Sequence, residues 1–258
     1  MGVFMKRMNV LICVVNFLVI LGCVGPTGMQ GLRGPDGRDG EKGQDHHGDV
    51  ELLMSTFLVL KSSYNYNLGD VKKIKDSIEK SSIFSHVAFE DKFQSDKNKD
   101  YICIAVKSNE LVFEDVLHIL RLLVGGRSST SQDHNVAKNF LNSLLDSASY
   151  IDEVINLNLF TPDFDLDRLR SFDRSAVFEL NFLLMGMLGL RESIVNDIKI
   201  LLKNPNLATL GSSSPSNLKV ELAPIIDVGG NIYEKIYGDN DSLKSLRDLI
   251  IKKINTNV

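Results

Sequence analysis

Three cysteines, five histidines and one run of alternating aspartates are the residues of this 258-residue chain with chemistry beyond packing. Cys103 lies in the apolar run Tyr101 to Val106, where a thiol is ordinarily a small core residue and not a nucleophile. His46 and His47 are adjacent, but no cysteine stands near them in sequence and two neighbouring histidines alone make no ligand set. His86, His118 and His134 do not fall at metal-ligand spacing. Asp163, Asp165 and Asp167 match loop positions 1, 3 and 5 of a calcium-binding EF-hand. The match then fails, because Arg168 stands where the bend glycine belongs and Arg174 where the bidentate glutamate belongs. Behind Thr161-Pro162, these aspartates read more simply as acids favouring the positive end of a helix. There is no H-E-x-x-H, no phosphate-binding loop, no G-x-S-x-G and no paired C-x-x-C. The expectation is a protein that is not an enzyme, with no metal and no cofactor.

Cys23 differs because of what precedes it. Lys6 and Arg7 form a short positive region, and Val10 to Leu21 is a twelve-residue apolar run. A start at Met5 would leave this arrangement intact. The run is too short to cross a hydrocarbon layer of about 30 Å as a helix but has the length of a signal-peptide core. Its end, Val19-Ile20-Leu21-Gly22-Cys23, resembles the lipobox of bacterial lipoproteins. The resemblance implies cleavage between Gly22 and Cys23, a diacylglyceryl group on the Cys23 thiol and acylation of the new amino terminus. The leucine directly before Gly22 is looser than the strictest pattern, as in spirochaetal versions. Processing would remove Lys6, Arg7 and Cys13, taking the formal net charge from −4 to −6. Cys103 would then be the only thiol without lipid, and no intramolecular disulfide could form.

Glycine follows at every third position, as Gly25, Gly28, Gly31, Gly34, Gly37, Gly40 and Gly43, making seven unbroken Gly-X-Y triplets. Six further hits in register have a chance on the order of 10⁻⁷ at average glycine usage. This is the collagen requirement, since only hydrogen fits at the axis of three polyproline-II strands. Pro26 and Pro35 occupy X positions, and charged residues fill much of the remainder. Two readings stand: an extended tether of roughly 65 Å at about 3.1 Å per residue, or a short triple helix that makes the protein a homotrimer. The expected segments are 1–22 signal peptide, 23–48 lipidated cysteine and tether, and 49–258 a folded part.

The folded part must supply any binding surface, and its patterning is helical. Asp49 reads as an N-cap ahead of Val50, Leu53, Phe57 and Leu60. A second helix is expected around Val71, Ile74 and Ile78, with Lys72, Lys73, Lys75 and Lys80 on its solvated face. Phe89 and Phe93 either extend it or pack as isolated anchors. Ser95 to Asp100 reads as a polar loop, and YICIAV (101–106) as a buried segment or helix start rather than a strand. A helix over 110–124 places Leu111, Val116, Ile119, Leu120 and Leu123 inward and stops at Gly125-Gly126. A polar loop over 127–133 should lead into a helix over 134–158, stepping through Val136, Phe140, Leu144, Ala148, Ile151 and Ile155. Asp173 should open the central buried helix, in which Val177 to Leu190 is hydrophobic nearly all round. Glu179 and Asn181 and a length of about fourteen residues argue against a membrane span there. Residues 205–217 read as a hinge loop, followed by helices over 217–237 and 241–255. The expected fold is therefore all-α, a single bundle-like domain.

Composition limits the partners. With 43% hydrophobic and 24% charged residues the chain can bury a core, and an acidic balance disfavours nucleic acid. A lipobox at Ile20 to Cys23, a low-complexity tether and a Lys/Asn/Ile/Ser-rich helical domain without tryptophan resemble the outer-surface lipoproteins of Borrelia-type spirochaetes. That resemblance implies an outer-membrane, surface-exposed protein anchored through lipid. It also implies a helical domain that captures a host or vector protein, such as a complement regulator, plasminogen or a matrix component. The collagen-like triplets depart from the usual tether of that group, and the alternative is a structural lipoprotein with a trimeric stem and no host ligand.

Overall fold

Two long helices form the frame on which the others are laid. The computed structural model describes residues 47–64, 74, 76–78, 81, 83–89, 91–125, 129–160, 166–204, 207 and 215–256. Within these residues the helices are α1 (His47–Tyr64), α2 (Asp96–Ala105), α3 (Glu110–Val124), α4 (Ser131–Ile155), α5 (Leu166–Ser171), α6 (Arg174–Leu202), α7 (Pro215–Ile226), α8 (Asn231–Tyr237) and α9 (Leu243–Thr256). The fold is all-α, with no strand among the described residues. Helix α4 is packed by α1, α2, α3, α7, α8 and α9, and α6 by α1, α3, α7, α8 and α9. One hydrophobic core results, and residues 45–258 form one unit. At its centre Phe140, Leu144, Leu180 and Leu184 are fully buried. Phe57 of α1 stacks on Phe160 with ring centroids 4.2 Å apart. No described helix is long and apolar enough to cross a membrane.

Most expected helices are present, and the differences have local causes. Asp49 lies inside the first turn of α1, which opens at His47, and its carboxylate accepts from Arg174 Nε at 2.7 Å. Residues 74, 76–78 and 81 are helical, with Ile74 and Ile78 buried; Lys72, Lys73, Lys75 and Lys80 lie outside the described residues. Phe89 and Phe93 are buried anchors, Phe93 in a single 3₁₀ turn. The expected loop at 95–100 is instead the start of α2. Ser95 Oγ accepts the Asn98 N–H, so the helix is capped, and its polar first turns simply face outwards. Helix α3 has the expected bounds, but Leu111 is exposed while Val112 and Phe113 face the core. Gly125 stops it in a right-handed conformation, its N–H donating to Arg121 O at 2.8 Å.

Helix α4 begins three residues ahead of expectation, because Thr130 and Asp133 form a capping box. Thr130 Oγ1 accepts the Asp133 N–H, and Asp133 Oδ2 accepts the Thr130 N–H at 2.8 Å. All six residues of the expected stripe, Val136 to Ile155, are buried. The expected hinge ends early, since 215–217 already belong to α7; 205, 206 and 208–214 lie outside the described residues. The single helix expected over 217–237 is two. Gly229 takes φ +85°, and a Cβ on Gly230 would meet the Pro224 carbonyl oxygen at 2.5 Å, so the glycine pair allows a turn that side chains would block. Helix α9 buries Leu243, Leu246, Ile250 and Ile254 as its spacing requires.

Candidate functional site

The residues singled out in the sequence divide by location. The cleavage and lipidation pair Gly22 and Cys23 lies outside the described residues. So do all seven glycines of the collagen-like repeat: Gly25, Gly28, Gly31, Gly34, Gly37, Gly40 and Gly43. The same holds for His46, Asp163 and Asp165. Asp167 is exposed on α5, 3.6 Å from Arg170. Cys103 is fully buried in α2. His47 stands 3.1 Å from Glu51, and His118 is exposed on α3. His86 and His134 meet edge to face with centroids 5.6 Å apart, and His86 Nδ1 accepts the Ala88 N–H. Among the described residues no group of three or more His, Cys, Asp or Glu side chains could hold a metal ion.

The polar groups that do converge belong to the framework. Arg191 on α6 is 2% exposed. Its Nη2 donates to Ser63 O at 3.1 Å and to Ile104 O at 3.2 Å, and its Nε donates to Ser63 Oγ. Those carbonyls are the penultimate ones of α1 and α2, which have no partner within their own helices and carry the negative end of the helix dipole. Ile104 O also accepts the Lys107 N–H at 2.9 Å, just beyond the end of α2. The guanidinium lies 5.8 Å from the Tyr64 ring centroid. Burial pulls its pKa down to about 10, which leaves it charged at neutral pH. Asp152 on α4 accepts from Tyr64 Oη at 3.0 Å, Tyr101 Oη at 2.5 Å and Asn156 Nδ2 at 2.8 Å, with Lys97 Nζ at 3.4 Å. Burial, then the neighbouring carboxylate, pushes the Tyr64 phenol up. These contacts tie α1, α2, α4 and α6 together and saturate their own groups.

The opposite arrangement lies towards the start of α6. Phe178 and Phe182, one turn apart, are 65% and 69% exposed. With Leu183 of α6 and Leu249 of α9 they line a groove of about 600 Å³ between the two helices. Lys252, Lys253, Glu179 and Thr256 complete its lining. Lys253 and Glu179 are paired across it, and the Lys253 ammonium holds the Glu179 carboxyl below the usual carboxylate range. Neither Arg191 nor Asp152 contributes to the groove.

No family model matches the chain, nor does any curated protein or solved structure. The groove therefore has to be read from its own chemistry. It has an apolar floor with two exposed phenylalanine rings, one ion pair and one exposed lysine. A surface of that composition gains free energy when its apolar area is covered.

The expectation that Val177 to Leu190 is buried all round is thus corrected. Val177, Leu180, Asn181, Leu184 and Met187 face the core, whereas Phe178 and Phe182 do not. Their helical phase carried the signal, since both fall off the stripe 177–180–184–187–191.

Proposed function

We propose that the chain is a lipid-anchored surface lipoprotein of the bacterial outer membrane whose helical domain binds a host or vector protein. The observation that carries the binding role is the exposed Phe178–Phe182 pair lining the α6/α9 groove. Two phenylalanines left in water cost solubility and contribute nothing to the core, whereas buried against a partner each is worth on the order of 2 kcal/mol. The groove runs between two helices, so its fitting occupant is an amphipathic helix with anchors at i, i+4 and i+7. Exposed Lys252 at the rim favours an acidic residue beside those anchors. The anchor rests on the lipobox at Cys23, and the host-facing location on the spirochaetal resemblance.

The test uses residues 23–258 carrying Cys23→Ser, immobilised and exposed to host serum. A saturable ligand is expected, and Phe178→Ser with Phe182→Ser should weaken it more than about tenfold without changing the helical signal. No saturable ligand, or equal binding by the double variant, overturns the reading. Palmitate incorporation lost in Cys23→Ala tests the anchor. For location, resistance of intact cells to proteolysis, under conditions that digest a known surface protein, would defeat surface exposure.

The seven Gly-X-Y triplets favour a second reading, a structural lipoprotein with a trimeric stem and no host ligand. It predicts a trimeric mass, a cooperative low-temperature transition and no saturable serum ligand.

A further inference from the structure

Helix α1 is apolar on two faces, and folding uses only one. Val50, Leu53, Phe57, Leu60 and Tyr64 are buried against the other helices. From Leu52 to Leu60 the helix carries no charge, and on its outer face Leu58 and Val59 are 54% and 50% exposed, with Leu52 beside them at 37%. A depression on that face is lined by Glu51, Met54, Ser55, Leu58, Val59 and Ser62. Leucine and valine exposed together on a helix face without charge are ordinarily covered by a neighbour.

We propose that this outer face is the neck of a homotrimer, packed against the same face of two further copies of the chain. Three observations select that occupant. First, the seven Gly-X-Y triplets directly upstream are a three-chain sequence, because glycine at every third position is needed only where three strands share an axis. Second, the last triplet ends at Asp45 and α1 opens at His47. Two residues reach at most about 7 Å, so three chains gathered at residue 45 are gathered at residue 47. Third, Leu52, Ser55, Val59 and Ser62 recur at steps of three, four and three, the spacing of a coiled-coil seam. Serine at alternate seam positions lets helix backbones approach but buries little apolar area. The neck is consequently weak alone, and so is a stem of seven triplets. Joined end to end, each raises the effective concentration of the other's strands. The face lies on α1, whereas the α6/α9 groove is lined by other helices, so the neck does not depend on any host ligand.

The test is sedimentation velocity of residues 23–258 carrying Cys23→Ser over a concentration series, with circular dichroism melting. A trimeric mass is expected for the parent and for Val59→Ile. Leu52→Lys with Val59→Lys should reduce it to monomer with an unchanged helical signal, and the milder Leu58→Ser with Val59→Ser should lower the melting temperature of the assembly. Gly34→Ala should also lower it, through the stem. A parent that sediments as monomer or dimer at every concentration overturns the proposal. So does a trimer whose mass and melting are unaffected by the serine pair, which would leave the stem intact but remove the neck.

Discussion

Within the single helix α6, a phenylalanine pair stands in water and an arginine three turns further on is buried. Hydropathy predicts the reverse of both. Arg191 is tolerated inside because two helices end beside it with carbonyls that accept its protons, so its burial satisfies more groups than it strands. Phe178 and Phe182 stay outside because α9 packs along one side of them and no described residue lies over them. One anomaly is resolved by folding and the other is not. The unresolved one is the surface to which we assign the proposed partner.

The largest way to break this contrast is Arg191→Ala. It takes a side-chain donor from the penultimate carbonyls of α1 and α2, leaving Ile104 O to the backbone N–H groups that follow α2, and empties the space the guanidinium fills. The cost should be about 3 kcal/mol in urea unfolding, with groove binding intact where the domain remains folded. A loss below about 1 kcal/mol would show that water or another side chain replaces the guanidinium. Next comes Tyr101→Phe, which removes the 2.5 Å hydrogen bond to Asp152 and should cost about 1.5 kcal/mol by the same measurement.

Glu192, beside Arg191, sharpens the electrostatic side. Burial works to raise its pKa, but hydrogen bonds from Lys107 and Ser63, with the charges of Lys107 and Arg191, hold it below the usual carboxylate range. Its stabilising contribution is therefore present above about pH 4.3 and lost as the pH falls through the lowered folded value. Its side chain is 47% exposed, so solvent keeps the contribution under about 1 kcal/mol. The melting-temperature gap between parent and Glu192→Gln should be present at pH 7 and close in strong acid. The smallest expected effect is at the groove. Phe178→Ser with Phe182→Ser should change stability by less than about 0.5 kcal/mol. A loss of several kcal/mol would make the pair part of the core and remove its functional meaning.

The same contrast explains what the sequence made legible. Periodicity located α3, the stripe of α4 and the inward set of α9, because one apolar face per helix is a local property. It missed the start of α2, where polar residues on an exposed first turn look like a loop until Ser95 is recognised as a cap. It missed the break between α7 and α8, where Gly229-Gly230 lies in a register that otherwise continues. It placed Leu111 inward, although Val112 and Phe113 take that direction. It could not assign Arg191, whose partners are backbone carbonyls 87 and 128 residues away. The exposed phenylalanines were legible only in part: their phase set them off the buried stripe, but that no described helix covers them is a tertiary fact.

Cys103 gives the framework a built-in clock. A chain begun at residue 24 has lost Cys13 and Cys23, so it carries a single thiol, and that thiol is sealed within α2 where it packs on α4. A coloured thiol reagent can reach it only in molecules where α2 has lifted. The slow rise of colour in native buffer, divided by the instantaneous rate in denaturant, counts the fraction of molecules open at that helix. The same cuvette would then rank every substitution along the Arg191 and Asp152 contacts without unfolding the protein at all.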